Sequence, residues 1–412
     1  MNNLIGNAVV GQSGGPTAAI NATLAGVIRG AAQANAQGNI VKIYGMRNGI
    51  EGLLEERLFD LSDKMNDESW LKTLENTPAA ALGSCRRKLK SHSEDKQTYE
   101  RLLAIFKKYD IRYFFYIGGN DSMDTVLKLS DYARANSYEL RVIGVPKTID
   151  NDLMATDHTP GFASSAKFVA TTVKEMLRDV AVYTVKAVTI VEIMGRDAGW
   201  LTASSALAGI SDGIGPDLIY LPERDFCEER FISSIKAALE KHPAVLVCVS
   251  EGIRFADGEY VGSGSQSGTV DVFGHKYLSG TGKVLEGIVK QRIGCKVRSV
   301  ELSLTQRCAA HIASLTDIRE AASVGASAVK SAISGSTGVM ATIIRASGEE
   351  YKVSYGIADI KLIANEIKTV PDEYINSEGN GITQACLDYL APLIVGEVQP
   401  EFENGLPKHI VI

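Results

Sequence analysis

The chain has 412 residues, 45% hydrophobic and 22% charged, the composition of a globular protein with a large core and room for two domains. A formal net charge of -6 supplies no overall basic field, so neither nucleic acid nor an anionic membrane is an expected partner, and an anionic substrate would need local cations. Six scattered cysteines, without a C-x-x-C pair or a histidine at metal-ligand spacing, disfavour zinc and a disulfide framework and suit a reducing cytoplasm.

Residues 1–11 lack a basic start followed by a long apolar stretch, and no run of about eighteen apolar residues occurs, so no leader and no membrane span is expected. Residues 7–11 read as a short strand. A helix follows, with Ile20, Leu24, Val27, Ile28 and Ala31 on one face, closing near Gly38. The alternation repeats: residues 40–44 and 111–117 extended, 121–136 helical, 141–145 extended, 165–180 helical, 187–194 extended and 199–210 helical. Residues 218–221, 244–249 and 297–302 read as buried strands, separated by helices at 228–240 and 284–293. The Gly- and Ser-rich stretch 255–281 breaks the pattern and reads as a loop or irregular hairpin. Strands alternating with helices imply parallel sheets covered on both faces, and the strand count favours two α/β domains.

In such sheets ligands gather at the carboxyl ends of strands, so the loops there carry the functional reading. GQSGGPT at 11–17 joins the first strand to the first helix, and a turn of this kind offers backbone N–H groups to an anion. It is neither a Walker A loop nor a dinucleotide fingerprint; a plain tight turn is the competing reading. GGNDS at 118–122 has the same layout, with Ser122 able to bond a phosphate oxygen. Asn120 or Asp121 could face a metal ion or serve only to cap the helix, and the two roles are compatible. PKTIDND at 146–152 puts two carboxylates beside a lysine, enough for a base and a metal ligand. Alone it would more readily be an Asx-rich turn. Arg196 in MGRD at 194–197, Glu251 in SEG at 250–252, and Arg298 and Arg307 on either side of 302–306 complete the set; several arginines at strand ends suggest phosphates.

Taken in order, QSGGPTAAIN at 12–21, GSCR at 83–86, GGNDS, PKTIDND, MGR, SEG, Arg298 and QR at 306–307 resemble the phosphofructokinase family over residues 12 to about 307. PKTIDND followed by MGR at this separation is the specific part. The resemblance implies two Rossmann-like domains with mainly parallel sheets: residues 1–160 with about 305–355 for the phosphoryl donor, and about 161–304 with 356–412 for the sugar phosphate. It implies Asp150 as the general base toward the 1-hydroxyl of fructose 6-phosphate, and Arg196 as the stabiliser of the transferring phosphoryl group. Thr148, Asp152, Met194, Gly195, Glu251, Arg298 and Arg307 are implied around the sugar phosphate, and Gly14, Gly15, Arg86, Gly119, Asn120, Asp121, Ser122 and Lys147 around the donor. Magnesium is the implied cofactor, with Asn120, Asp121 and Asp152 as candidate ligands. A homodimer is the implied assembly. None of the six histidines falls in a motif, so a carboxylate base is also what the residues themselves favour.

The resemblance further implies the donor. ATP-using relatives carry glycines where this chain has Asp121 and Lys147. A carboxylate about 4 Å from an α-phosphate charge costs about 4 kcal/mol at an effective dielectric near 20, and a lysine fills the room a nucleotide would take. Pyrophosphate needs neither. The expected activity is a pyrophosphate:fructose 6-phosphate phosphotransferase, with an ATP-dependent enzyme and a non-catalytic subunit of the same fold as the alternatives. Departures from the family pattern include Asn120 where pyrophosphate users commonly have aspartate, and Ala187 where bacterial ATP users have arginine.

Overall fold

A computed structural model describes residues 4–182, 184–263, 280–348 and 350–412. Most of the 255–281 stretch lies outside them. Two sheets carry the fold. The first takes β1 (Gly6–Gln12), β2 (Ile40–Met46), β3 (Leu58–Asp60), β4 (Ile111–Gly118), β5 (Arg141–Pro146), β10 (Val339–Arg345) and β11 (Val353–Asp359), in the order β11-β10-β5-β4-β1-β2-β3. The second takes β6 (Ala187–Ile193), β7 (Leu218–Tyr220), β8 (Ala244–Ser250) and β9 (Lys296–Glu301), in the order β7-β8-β6-β9. Only β3 and β11 run antiparallel to their neighbours in these sheets. The expected fold class, α/β with mainly parallel sheets, is what the chain has.

Among the described residues the helices of twelve residues or more are α1 (Ile20–Ala36), α2 (Lys96–Lys108), α3 (Asn120–Ala135), α4 (Phe162–Val180), α5 (Glu228–Lys241), α6 (Thr281–Arg292) and α7 (Leu315–Ile333). The first sheet packs α1 and α7 on one face and α2 and α3 on the other. Helices α1 and α7 approach closely because glycines face each other's backbone: a Cβ on Gly26 would lie 1.9 Å from the Ala322 carbonyl oxygen. Strands such as Phe114, Phe115 and Ile117, or Val245, Leu246 and Val247, are apolar on both sides because both sides are covered. Strand β11 crosses residue 355 and belongs to the first sheet.

Two readings are corrected. Residues 199–210 form only one α-turn, Trp200–Ala203, continued by the 3₁₀ segment Ser204–Gly209. Strand β9 is not buried: it is the sheet's edge, with Lys296, Arg298 and Glu301 exposed. Its apolar valines resembled a core run, but among the described residues no strand lies outside it, and the side chains of Lys296, Arg298 and Glu301 between and beside the valines are in solvent.

Register sets the site. Gly118 of β4 lies beside Pro146 of β5, and Ile193 of β6 beside Ser250 of β8, so each pair of loops leaves its sheet at one level. Leu302, just past β9, donates its N–H to the Glu192 carbonyl.

Candidate active site

Six loops at the carboxyl ends of β1, β4, β5, β6, β8 and β9 carry the candidate residues, plus the 83–86 loop beside them. Gly14 adopts φ of +75°, which glycine reaches without Cβ strain. Its N–H donates to the Cys85 carbonyl at 3.1 Å, and Ser84 Oγ donates to the Gly14 carbonyl at 2.6 Å, so the 11–17 and 83–86 loops form one wall. Lys147 Nζ reaches this wall, donating to the Gly15 carbonyl at 2.6 Å from a residue only 2% exposed. A Cβ on Gly15 would stand 3.3 Å from Arg307 Nη1. The ammonium and guanidinium groups of Lys147, Arg307 and Arg86 therefore crowd together.

Their electrostatics record that crowding. Burial, then the charges of Arg307 and Arg86, push Lys147 down to about 8, although Asp150 works the other way. Burial and Arg86 likewise push Arg307 below the usual guanidinium value. Cations held this way gain from an anion placed among them.

Gly119 precedes α3, whose first turn holds Asn120, Asp121 and Ser122. Asp121 pairs with Lys88 at 3.2 Å. Ser122 is buried, packed against Gly118. Asn120 turns elsewhere: its carboxamide donates to the Glu366 carbonyl and accepts from the Asn365 N–H.

The acids stand further along the loop of Lys147 and on the loop after β8. Thr148 Oγ1 donates to Asp150 Oδ2 at 3.3 Å and accepts from the Asp150 N–H at 3.1 Å, fixing the aspartate's rotamer. Burial raises Asp150 above its ordinary range, opposed by Thr148, Arg196 and Lys147. Burial, and then Asp150 itself, raise Asp152 to about 7. Glu251, which accepts from the Gly195 N–H at 3.4 Å, is pushed up to about 8, chiefly by burial. These are acids that take up a proton unless a cation joins them.

Arg196 is differently placed. Its Nε donates to Asp197 at 2.9 Å, and Arg254 donates to the other Asp197 oxygen at 2.9 Å. Burial alone would lower Arg196, yet Asp197 raises it above its ordinary value. The Met194 N–H donates to Gln306 Oε1 at 3.1 Å, tying the β6 loop to the residue before Arg307.

The structure thus gathers Gly14, Gly15, Arg86, Lys147, Asp150, Asp152, Arg196, Glu251 and Arg307. It sets Arg298 apart, exposed on β9 opposite Thr189, its side chain without a hydrogen bond or ion pair among the described residues. Thr189 lies four residues before the end of β6, about 13 Å along the strand. Asp197, Arg254, Gln306 and Lys88 were missed as contributors. Asp197 and Gln306 lay inside quoted motifs, and Lys88 in the basic run after Cys85.

A family model described as phosphofructokinase matches residues 7–332, and the chain belongs to that family. The pyrophosphate–fructose 6-phosphate 1-phosphotransferase of Halomonas elongata is 44% identical, over 98% of this chain and 95% of that protein. Crystal structures of pyrophosphate-dependent phosphofructokinases are similar too: that from Marinobacter aquaeolei at TM-score 0.87 and 40% identity, covering 98% of this chain and 95% of its own, and that from Nitrosospira multiformis at 0.88 and 39%, covering 98% and 96%.

Proposed function

We propose that this chain transfers a phosphoryl group reversibly from pyrophosphate to the 1-hydroxyl of fructose 6-phosphate, giving fructose 1,6-bisphosphate and phosphate, as a cytoplasmic homodimer. The observation that carries the reading is Lys147, buried against the Gly15 carbonyl with Arg86 and Arg307 as its neighbours. Three crowded cations suit a small, highly charged donor, and the lysine occupies space that a nucleotide needs. Similarity to pyrophosphate-using relatives over nearly the whole chain supports the same donor.

In this reading the donor domain is 1–160 with about 305–363, because β11 and the turn after it belong to its sheet and core, and the sugar-phosphate domain is about 161–304 with most of the residues that follow. Gly14, Gly15, Gly119 and Ser122 cradle pyrophosphate, with Arg86 and Lys147 supplying charge and Asp121 turning nucleotides away. Asp150 takes the proton from the sugar 1-hydroxyl; burial has raised its proton affinity, as a base near neutral pH requires. Arg196, held by Asp197, faces the transferring group. Thr148, Met194 and Gly195 line the sugar. Glu251, neutral at pH 7 with its value near 8, both donates to and accepts from sugar hydroxyls. Arg307 is the clamp for the sugar phosphate, with its guanidinium also beside Gly15 of the donor loop, whereas Arg298, exposed on β9 about 13 Å back along the sheet, is left out of it. Phosphoryl transfer asks for alignment and charge stabilisation more than for covalent help, and this set supplies both.

Magnesium fits the site. Among the described residues no group of three or more acidic, histidine or cysteine side chains is arranged as a metal cage, but this cation commonly takes one or two carboxylates and leaves the rest to phosphates and water. Asp152, raised to about 7 by burial and by Asp150 beside it, is the kind of carboxylate a divalent cation relieves. Asp152 and Asp121 would hold it; Asn120 is left out, both its polar atoms being engaged. When bound, the cation offsets the charge of the phosphates.

Turnover with pyrophosphate and with ATP, at saturating fructose 6-phosphate, tests the reading. Pyrophosphate is expected to be used and ATP not; a clear ATP preference overturns it. Asp121→Gly combined with Lys147→Gly is expected to gain ATP use.

A further inference from the structure

Residues 363–370 run between the two halves of the molecule. Ile363 is fully buried in the core beneath the first sheet, and Val370 is 2% exposed in the core of the second. Between them the chain is at the surface, with Asn365 in a left-handed conformation at φ of +67°. The short segment 365–368 touches both loops of the donor side. At one end, the Asn120 carboxamide closes a two-bond ring onto it, accepting from the Asn365 N–H and donating to the Glu366 carbonyl. At the other, the Lys368 N–H donates to the Asp152 carbonyl at 2.9 Å.

The Lys368 side chain then passes under the loop after β5. Its Nζ donates to Asn151 Oδ1 at 3.3 Å, to the Thr156 carbonyl at 3.2 Å and to the Asp157 carbonyl at 2.8 Å. Asn151, between the two aspartates, is fully buried and sits at φ of +53°, the left-handed region that asparagine enters more readily than most residues with a Cβ. It is kept there by Lys368, by the Thr159 N–H and by the Tyr389 hydroxyl. The Lys368 carbonyl accepts from Trp200 Nε1 at 2.9 Å, so the segment is also pinned to the second half.

We propose that segment 365–368 is an alignment strap, in which Asn120 and Lys368 are positioning residues that fix the loop after β4 relative to the loop after β5. The donor and the general base are thereby held at the separation the transfer needs, and neither residue touches a substrate. The strap rests on the functional reading above for its purpose, although not for its existence. It also accounts for asparagine at residue 120: an aspartate would accept from Asn365 but could not donate to Glu366. Transfer between two bound groups is sensitive to displacements of about 1 Å, which cost on the order of a hundredfold.

The test uses Asn120→Ala, Lys368→Met and the double variant in the full chain. Each single change is expected to lower kcat ten- to a hundredfold while KM for both substrates moves less than about threefold. Because Asn120 and Lys368 are not in contact, independent effects would multiply in the double variant; the strap instead makes its loss no greater than about three times that of the worse single variant. Multiplicative losses, or a rise in KM for pyrophosphate with kcat kept, overturn the proposal. Hydrogen exchange supplies a readout that needs no substrate. In Asn120→Ala, amides of 147–152, which Asn120 does not touch, are expected to exchange at least tenfold faster, and exchange within twofold of the parent overturns the strap even if Lys368→Met fails to fold. Faster exchange in a protein that does not turn over pyrophosphate would overturn the donor reading and leave the strap standing.

Discussion

Two clusters of buried charge share the loop between β5 and α4, and they are wired in opposite senses. In the first, burial pushes every member toward neutrality: Lys147 and Arg307 downward, Asp150, Asp152 and Glu251 upward. In the second, His158 is 1% exposed, with Nδ1 at 2.8 Å from Asp157 and Nε2 bonded to Glu320. Arg345 also pairs with Asp157 at 3.1 Å, and the Tyr351 hydroxyl donates to Glu320 at 2.7 Å. Burial alone would lower His158 and raise Asp157, yet their mutual bonds raise the one and lower the other. Charges satisfied by each other build the fold; charges left unsatisfied await a ligand. The same loop thus carries a structural and a chemical cluster a few residues apart.

The contrast breaks most visibly at Asp150. Asp150→Asn is expected to lower turnover by ~10²–10⁴-fold with little loss of stability, since it removes a charge the fold does not compensate, and calorimetry is expected to show sugar phosphate still bound. Unchanged turnover would remove Asp150 as the base.

His158→Ala tests the other cluster. It leaves Asp157 and Glu320 without their shared partner, and loss of one member of a buried pair costs ~3–5 kcal/mol, readable in denaturant unfolding, while turnover falls far less than in Asp150→Asn. The pH sign follows from the raised value of His158: its contribution is complete below about 6.5, the unfolded value, and is lost as pH rises through the higher folded value. The stability gap between parent and variant should therefore narrow on going alkaline. A gap that widens would mean that His158 is neutral in the fold.

Lys147→Met sharpens the comparison by separating binding from stability. A hydrogen bond to a charged group contributes ~1.5–3 kcal/mol, so kcat/KM for pyrophosphate is expected to fall roughly ten- to a hundredfold. Stability should hold or rise, because the ammonium is buried at a cost. Marked unfolding in this variant would place Lys147 with His158 among the structural charges.

How much of this was legible in the sequence follows the same division. The loops that hold Gly14, Ser122, Lys147, Asp150, Arg196 and Glu251 are local objects, each a few residues after an apolar run, and a turn that exposes backbone to an anion needs glycines the eye can find. The satisfied cluster draws on residues 157, 158, 320, 345 and 351, and the strap joins Asn120 to Asn365 across 245 positions. No periodicity marks such pairs; only the fold brings them together. Arg307 was legible as a cation but not as a neighbour of Gly15, and the edge position of β9 depends on the order of the strands, which no local pattern carries.

The smallest effect concerns the protonation of Lys147. With a folded value near 8, it is mostly an ammonium at pH 7 and mostly an amine at pH 9. Pyrophosphate favours the ammonium, so its affinity should weaken as pH rises above about 8, by less than tenfold per pH unit for one group. Binding restores the charge and should therefore take up protons near pH 8, seen as a difference in apparent heat between buffers of unlike ionisation enthalpy. Lys147→Met should abolish that uptake while His158→Ala leaves it intact, because His158 already has its carboxylates. Uptake that survives in Lys147→Met would assign the proton to Asp152 or Glu251, and the unsatisfied cluster would then be led by its acids rather than by its amine.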